Sequence, residues 1–247
     1  MQADLPVDLQ TELQDVWVYL SASPLLHLTL TLAAYQAGMW IYRRGKMNPL
    51  LNPVLFAVVV LVAILISTGT SYDTFFEGAQ FVHFLLGPAT VSLAVPLYRQ
   101  FHRVRESALA IVASLLTGAG FAAASAMGIA WALGAGRETI ISIGPKSVTA
   151  PVAMGIAESL GGLPSLTAVL VIATGILGAA LGPLVLNLAG VKDWASRGFA
   201  MGTGAHGIGT ARALQVNEVA GAFSGLAMGL NALATAILLP LVWSIFR

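Results

Sequence analysis

Between Thr139 and Leu160 the chain is apolar and long enough to cross a bilayer, yet it carries Lys146, Glu158, Pro145, Pro151 and several hydroxyls. A charge at the centre of a membrane helix costs about 2.5–3.5 kcal/mol on insertion scales, so such residues face a cavity or a partner and serve ions or substrates. Each proline removes a backbone donor and crowds the preceding turn, and Gly144 loosens the chain beside the first. The pattern predicts helix, break, helix. Irregular backbone at membrane depth is stable only where protein buries it or water reaches it, which makes the break itself a candidate site. The competing reading has Lys146 near a segment end, snorkelling to the headgroups, with the prolines as simple kinks.

A second dense stretch is Gly202-Thr203-Gly204-Ala205-His206-Gly207-Ile208-Gly209-Thr210-Ala211-Arg212. Its glycines disfavour an uninterrupted helix and permit close backbone approach, either to a ligand or to another helix. If the stretch is locally helical, Thr203, His206 and Thr210 share a face by their spacing, while Arg212 points elsewhere. Further on, Gly221, Gly225 and Gly229 recur every fourth residue as a helix-packing stripe, and Asn231 on the same run is read as a structural bridge to a neighbour.

These groups suit a small anion. Free amides at a half-helix N-terminus, helped by the helix dipole and by Lys146 or Arg212, favour a carboxylate, and His206 has the titration range to carry a coupled proton. No catalytic set emerges. His27, His83, His102 and His206 do not recur with carboxylates at metal-ligand spacing, and no Gly-rich loop ends in Gly-Lys-Ser/Thr, so no enzyme activity, metal or cofactor is expected.

The elements that must position these residues follow from composition. Of 247 residues 57% are hydrophobic and 9% charged, with a mean hydropathy of +0.83, which describes an integral membrane protein. The net charge of +1 sets nucleic acid aside, and the absence of cysteine excludes disulfides and thiolate metal sites. Apolar windows fall near 24–42, 53–69, 78–98, 107–134, 139–160, 164–189, 195–215 and 219–245, each close to the length of a spanning helix. Residues 1–23, with Asp4, Asp8, Glu12 and Asp15 ahead of Trp17 and Tyr19, read as a polar interfacial segment; 24–247 reads as one transmembrane domain. No cleavable leader is evident, and the first spanning helix is expected to act as its own signal in a bacterial plasma membrane.

Basic residues orient the chain. Arg43, Arg44 and Lys46 mark one cytoplasmic loop, Arg99, Arg103 and Arg105 another, and the intervening stretch 70–77 is acidic. Gly87-Pro88 anticipates Gly144-Pro145, so a similar break is expected in the 78–98 window. Glu106 and Glu218, and Asn52-Pro53 and Leu163-Pro164, are related by offsets near 111, suggesting two repeats of inverted topology. If Lys192 and Arg197 are cytoplasmic like Arg103, an even number of crossings separates them. The segment 139–160 must then enter and leave on one side or split into two half-spans.

Several motifs together resemble the LrgB/CidB family. They are Lys146-Ser147-Val148-Thr149 with Pro151, Gly202-Thr203 with His206 and Gly209-Thr210-Ala211-Arg212, Asn52-Pro53, and Pro88-Ala89 with Val91, Leu93-Ala94 and Pro96-Leu97-Tyr98. The resemblance implies two functions. Some members are described as holin-like or antiholin-like proteins that modulate murein hydrolase release with an LrgA/CidA-type partner, and others as carriers of glycolate, glycerate or pyruvate. The residues favour the carrier of small monocarboxylates, acting by alternating access, with an LrgA/CidA-type partner and homo-oligomer formation as further expectations. The expected substrate contacts are Lys146, Ser147, Thr149, His206, Thr210, Arg212, Thr90 and Asn52. Expected break or close-approach positions are Gly87, Pro88, Gly144, Pro145, Pro151, Gly202, Gly204, Gly207 and Gly209. Ion coupling is assigned to His206, Glu158 or Glu218.

Overall fold

A computed structural model describes residues 23–48, 51–92 and 94–245. The expected interfacial segment, apart from Ser23, lies outside the described residues, as do the side chains of Thr90 and His83. All regular structure among the described residues is helical, and four stretches, Tyr72–Arg99, Ala108–Ala132, Pro164–Leu188 and Glu218–Ser244, are long and apolar enough to cross a membrane. The chain is an all-α, multi-pass membrane protein with interrupted helices. It resolves into two compact units, one ending at Val91 and the other beginning at Ser92.

The first unit holds α1 (Pro24–Arg44), α2 (Pro53–Thr68), α3 (Tyr72–Phe84) and most of α4 (Leu86–Ser92). Proline at the first helical position starts both α1 and α2, where its missing N–H costs nothing. Asn52 caps α2, its side-chain oxygen accepting from the amides of Val54 (2.8 Å) and Leu55 (3.2 Å). Gly38 lets α2 approach α1, since a Cβ there would sit 2.8 Å from the Pro53 carbonyl oxygen, and Gly78 lets α3 lie against Pro24 and His27 in the same way. Two expectations are corrected in this unit. The acidic stretch 70–77 is not a loop throughout, because α3 begins at Tyr72 and takes in Asp73 and Glu77. The interruption in the third window falls at Leu85. Gly87 and Pro88 instead lie in the first turn of α4, where a proline forfeits no helical bond.

The second unit comprises α5 (Ala94–Arg99), α6 (Phe101–Glu106), α7 (Ala108–Ala132), α8 (Arg137–Ile143), α9 (Ala150–Leu160), α10 (Pro164–Leu188), α11 (Trp194–Val216) and α12 (Glu218–Ile245). The segment expected to break at Gly144-Pro145 does so, and it turns back. Ser142 Oγ accepts a hydrogen bond from the Leu163 amide at 2.8 Å, and Thr167 Oγ1 donates to the Ser142 carbonyl at 3.1 Å. In a straight helix residues 142 and 163 would stand about 30 Å apart. Residues 137–160 therefore form a re-entrant hairpin with its tip at Ser147–Thr149.

The chain does the same in α11. His206 adopts φ 40°, ψ −132° and Ala205 is also non-helical. Beyond them the chain reverses, so that a Cβ on Gly209 would meet the Met201 carbonyl oxygen at 2.6 Å, and Trp194, Gly198, Ala213 and Val216 line one small hollow of about 110 Å³. The two arms, 194–204 and 207–216, make a second hairpin with its tip at Ala205–His206.

The hairpins enter from opposite faces. Arg103 lies 3.9 Å from Asp193 and Arg99 3.0 Å from Glu218, which gathers the starts of α7, α11 and α12 on one face. With Arg99, Arg103, Arg105, Lys192 and Arg197 nearby, that is the face the positive-inside rule assigns to the cytoplasm. At the other end the Arg137 guanidinium stacks over Trp243, 5.6 Å from the ring centroid, joining the root of the first hairpin to the end of α12. Two full crossings, α7 and α10, thus separate the loops at 99–107 and 189–193, the even number that the charges require. Each hairpin has its own apolar seat: Val148, Ala153 and Ile156 pack with Val171 and Leu239 in the outer half, and Phe199 packs with Ile111, Leu115 and Phe223 in the inner half.

Candidate functional site

The two tips meet at one residue. Asn231 is the fourteenth of the 28 residues of α12 and is 1% exposed. Its Nδ2 donates to the Ser147 carbonyl of the first hairpin and the Thr203 carbonyl of the second, both at 3.1 Å. Half of α12 is about 20 Å of helix, so this junction lies midway through the bilayer.

Around it the polar groups divide by hairpin. Lys146 Nζ donates to Ser147 Oγ at 3.1 Å. It lines a hollow of about 470 Å³ together with Ser125, Ala130, Leu133 and Ile143, on the outer half of α7. No ion pair involves Lys146 among the described residues. Thr149 occupies the N-cap position of α9 in extended conformation without a side-chain cap bond, while the pyrrolidine of Pro151 is in the first turn, so the α9 N-terminus beside Lys146 keeps free amides. At the second hairpin His206 is buried, its Nε2 2.9 Å from the Val171 carbonyl oxygen. Thr210 Oγ1 donates to the His206 carbonyl at 2.8 Å and sits 2.9 Å from Ser224 Oγ. A second hollow, about 460 Å³, runs along the inner half of α7 from Ser107 and Asp193 to Thr203 and Gly204.

The glycines sort by face. Gly202 presses against the Ser224 carbonyl and Gly209 against Met201, whereas Gly204 faces open space and Gly207 meets only Met228. Gly221 abuts Leu214, but a Cβ on Gly229 would touch nothing, so the expected stripe on α12 does not hold as a unit. The working stripe is Gly175, Gly178 and Gly182 of α10, which receive His206, Ala205 and Met201. Sequence reasoning passed over it and also treated Asn231 as a simple bridge, although an amide amid an apolar run was the available signal.

Other expected site residues lie elsewhere. Arg212, midway along its arm, lines the small hollow with Trp194 and Arg197, whereas Lys146 lines the outer one. Glu158 is exposed toward the end of α9, and Glu218 is an exposed partner of Arg99; neither reaches the buried junction. Asn52 is occupied as a helix cap.

A helical membrane protein with two opposed re-entrant hairpins, holding a cation and a histidine beside their tips, is the class that fold and site define. The chain belongs to the LrgB-like family, whose model matches residues 31–245. It is 37% identical over 220 residues to "Uncharacterized protein YxaC" of Bacillus subtilis (strain 168), covering 89% of this chain and 95% of that one. It is 32% identical over 228 residues to "Holin-like protein CidB" of Staphylococcus epidermidis (strain ATCC 12228 / FDA PCI 1200), covering 92% and 98%. To "Holin-like protein CidB" of Staphylococcus aureus (strain N315) it is 30% identical over 222 residues, covering 90% and 96%. No solved structure gives a significant match.

Proposed function

We propose that the protein carries small monocarboxylates, of the glycolate, glycerate, lactate or pyruvate class, by alternating access between the two hollows. The observation that supports this best is Lys146: a cation with no carboxylate partner among the described residues, beside the free amides of a half-helix, lining a hollow along the outer half of α7. Anion binding there supplies the counter-charge that the site lacks. The outer hollow leads to Lys146 and the inner one to Thr203–Gly204, with the Asn231 junction between them. Rocking of one hairpin against the other exchanges which hollow reaches the centre. His206, buried at the second tip, is the group we assign to a coupled proton.

The second reading rests on the relatives called holin-like. In it the protein modulates membrane permeability or lysis together with an LrgA/CidA-type partner. One experiment separates the two. Purified protein in liposomes is expected to take up labelled glycolate, glycerate, lactate or pyruvate saturably, and Lys146→Ala to abolish uptake while elution and thermal unfolding stay as in the parent chain. Release of a large trapped dye without saturable uptake, alone or with the partner added, overturns the carrier reading in favour of the holin-like one.

A further inference from the structure

Asn231 does more than bridge. A fully buried amide usually satisfies its whole hydrogen-bonding capacity. Here both bonds go from one side of the group to two hairpins that enter from opposite faces, while its Oδ1 is buried with no partner among the described residues. The two carbonyls it holds stand beside the two hollows. Thr203 itself lines the inner one, and Ser147 is the chain neighbour of Lys146, which lines the outer one. Along α7 the inner hollow stops at Ala122 and the outer begins at Ser125, less than one turn apart.

We infer that Asn231 is the septum of the pathway: a positioning residue that ties both hairpin tips together and keeps the two hollows from joining. The inference rests on the carrier reading for its meaning, but its geometry stands apart from any substrate. Withdrawing one hairpin tip breaks one of the two bonds and leaves the other in place, so the tie can be undone from either side.

The chain has no cysteine, so single introduced thiols report on each hollow. Gly204→Cys, facing the inner hollow, is expected to react with a charged, impermeant thiol reagent from the cytoplasmic face only, and Ala130→Cys from the outer face only. Adding Asn231→Ala is expected to abolish this one-sidedness at both positions and to replace saturable uptake by a leak linear in concentration. Should Asn231→Ala fail to fold, Asn231→Leu keeps about the same volume, removes both donors, and is expected to give the same loss. A folded variant of either kind that still labels from one face overturns the inference, as does two-sided labelling in chains that retain Asn231. Absence of carboxylate uptake by the parent chain refutes the carrier reading and leaves the labelling result to stand or fall separately.

Discussion

Gly202 and Gly204 sit two residues apart on one hairpin arm and face opposite ways, which makes them a matched pair. A methyl group on Gly202 would lie far inside contact of the Ser224 carbonyl oxygen and 2.9 Å from Ala227 Cβ. Carbon atoms pack at about 3.5–4.0 Å, so the arm must retreat from α12 by roughly 1 Å. Both obstacles are rigid, backbone in one case and a Cβ in the other, and the retreat would stretch the 3.1 Å bond from Asn231 to the Thr203 carbonyl next door. Overpacking of this kind costs about 1–3 kcal/mol, and weakening the buried bond adds about 1 kcal/mol. On Gly204 the same methyl meets nothing within 4 Å, and alanine is the better helix former by about 1 kcal/mol. Thermal unfolding in detergent, followed by tryptophan fluorescence, should therefore show Gly202→Ala lowered by roughly 5–10 °C and Gly204→Ala unchanged or raised. Equal effects from the two substitutions would refute the close packing of this arm on α12, and with it the second hairpin as described.

The same assay tests the cytoplasmic rim. Asp193 caps α11, accepting from the Ser196 amide at 2.8 Å, and its carboxyl is held below its ordinary range, first by that amide bond and with smaller help from the Ser196 hydroxyl and Arg103. A depressed carboxyl stabilises the fold above its unfolded value of 3.8, and the contribution is lost as pH falls through the lower folded value. Asp193→Ala is accordingly expected to cost about 1 kcal/mol at neutral pH, with the gap from the parent chain closing in strong acid. Gly175→Ala would push a Cβ to within 2.7 Å of His206 Nε2 and displace the ring from the Val171 carbonyl. Uptake should fall while its dependence on Lys146 persists, and unaltered uptake would remove His206 from the pathway.

Much of this arrangement was legible in the sequence, and the failures have physical causes. Apolar windows placed α1, α2, α7, α10 and α12 within about two residues, because bilayer thickness leaves few choices. With Lys192 and Arg197 on the same face as Arg103, charge counting left 139–160 either to return to its own side or to split into two half-spans, and the bond between Ser142 and the Leu163 amide fits the return. A break within 202–209 was legible too, because its glycines disfavour an uninterrupted helix, and the non-helical Ala205–His206 is that break; its exact position was not. Glycines surround it, but the residue at positive φ is His206 itself, a position composition does not announce. The shared face of Thr203, His206 and Thr210 held only if the stretch were locally helical, and the fold puts Thr203 and Thr210 on different arms. Lys146 and Arg212 were both candidates for the anion because both are cations in apolar surroundings, and whether they meet was not legible. Their separation of 66 positions is decided by tertiary structure, which no spacing rule reaches. Asn52 shows that one residue type serves two ends, since an asparagine ahead of a proline caps a helix as readily as it binds a ligand.

The shortness of the hairpin arms bears on how the chain is made. An arm of about eleven residues extends some 16 Å, half of the hydrocarbon thickness, and is too brief to be retained by the insertion machinery in its own right. Such an arm reaches the midplane and stops, so each hairpin leans on α7, α10 and α12 for a seat that its own length cannot provide. The depth of the lysine at the first tip is thus set by its neighbours' packing more than by the hydropathy of its own segment.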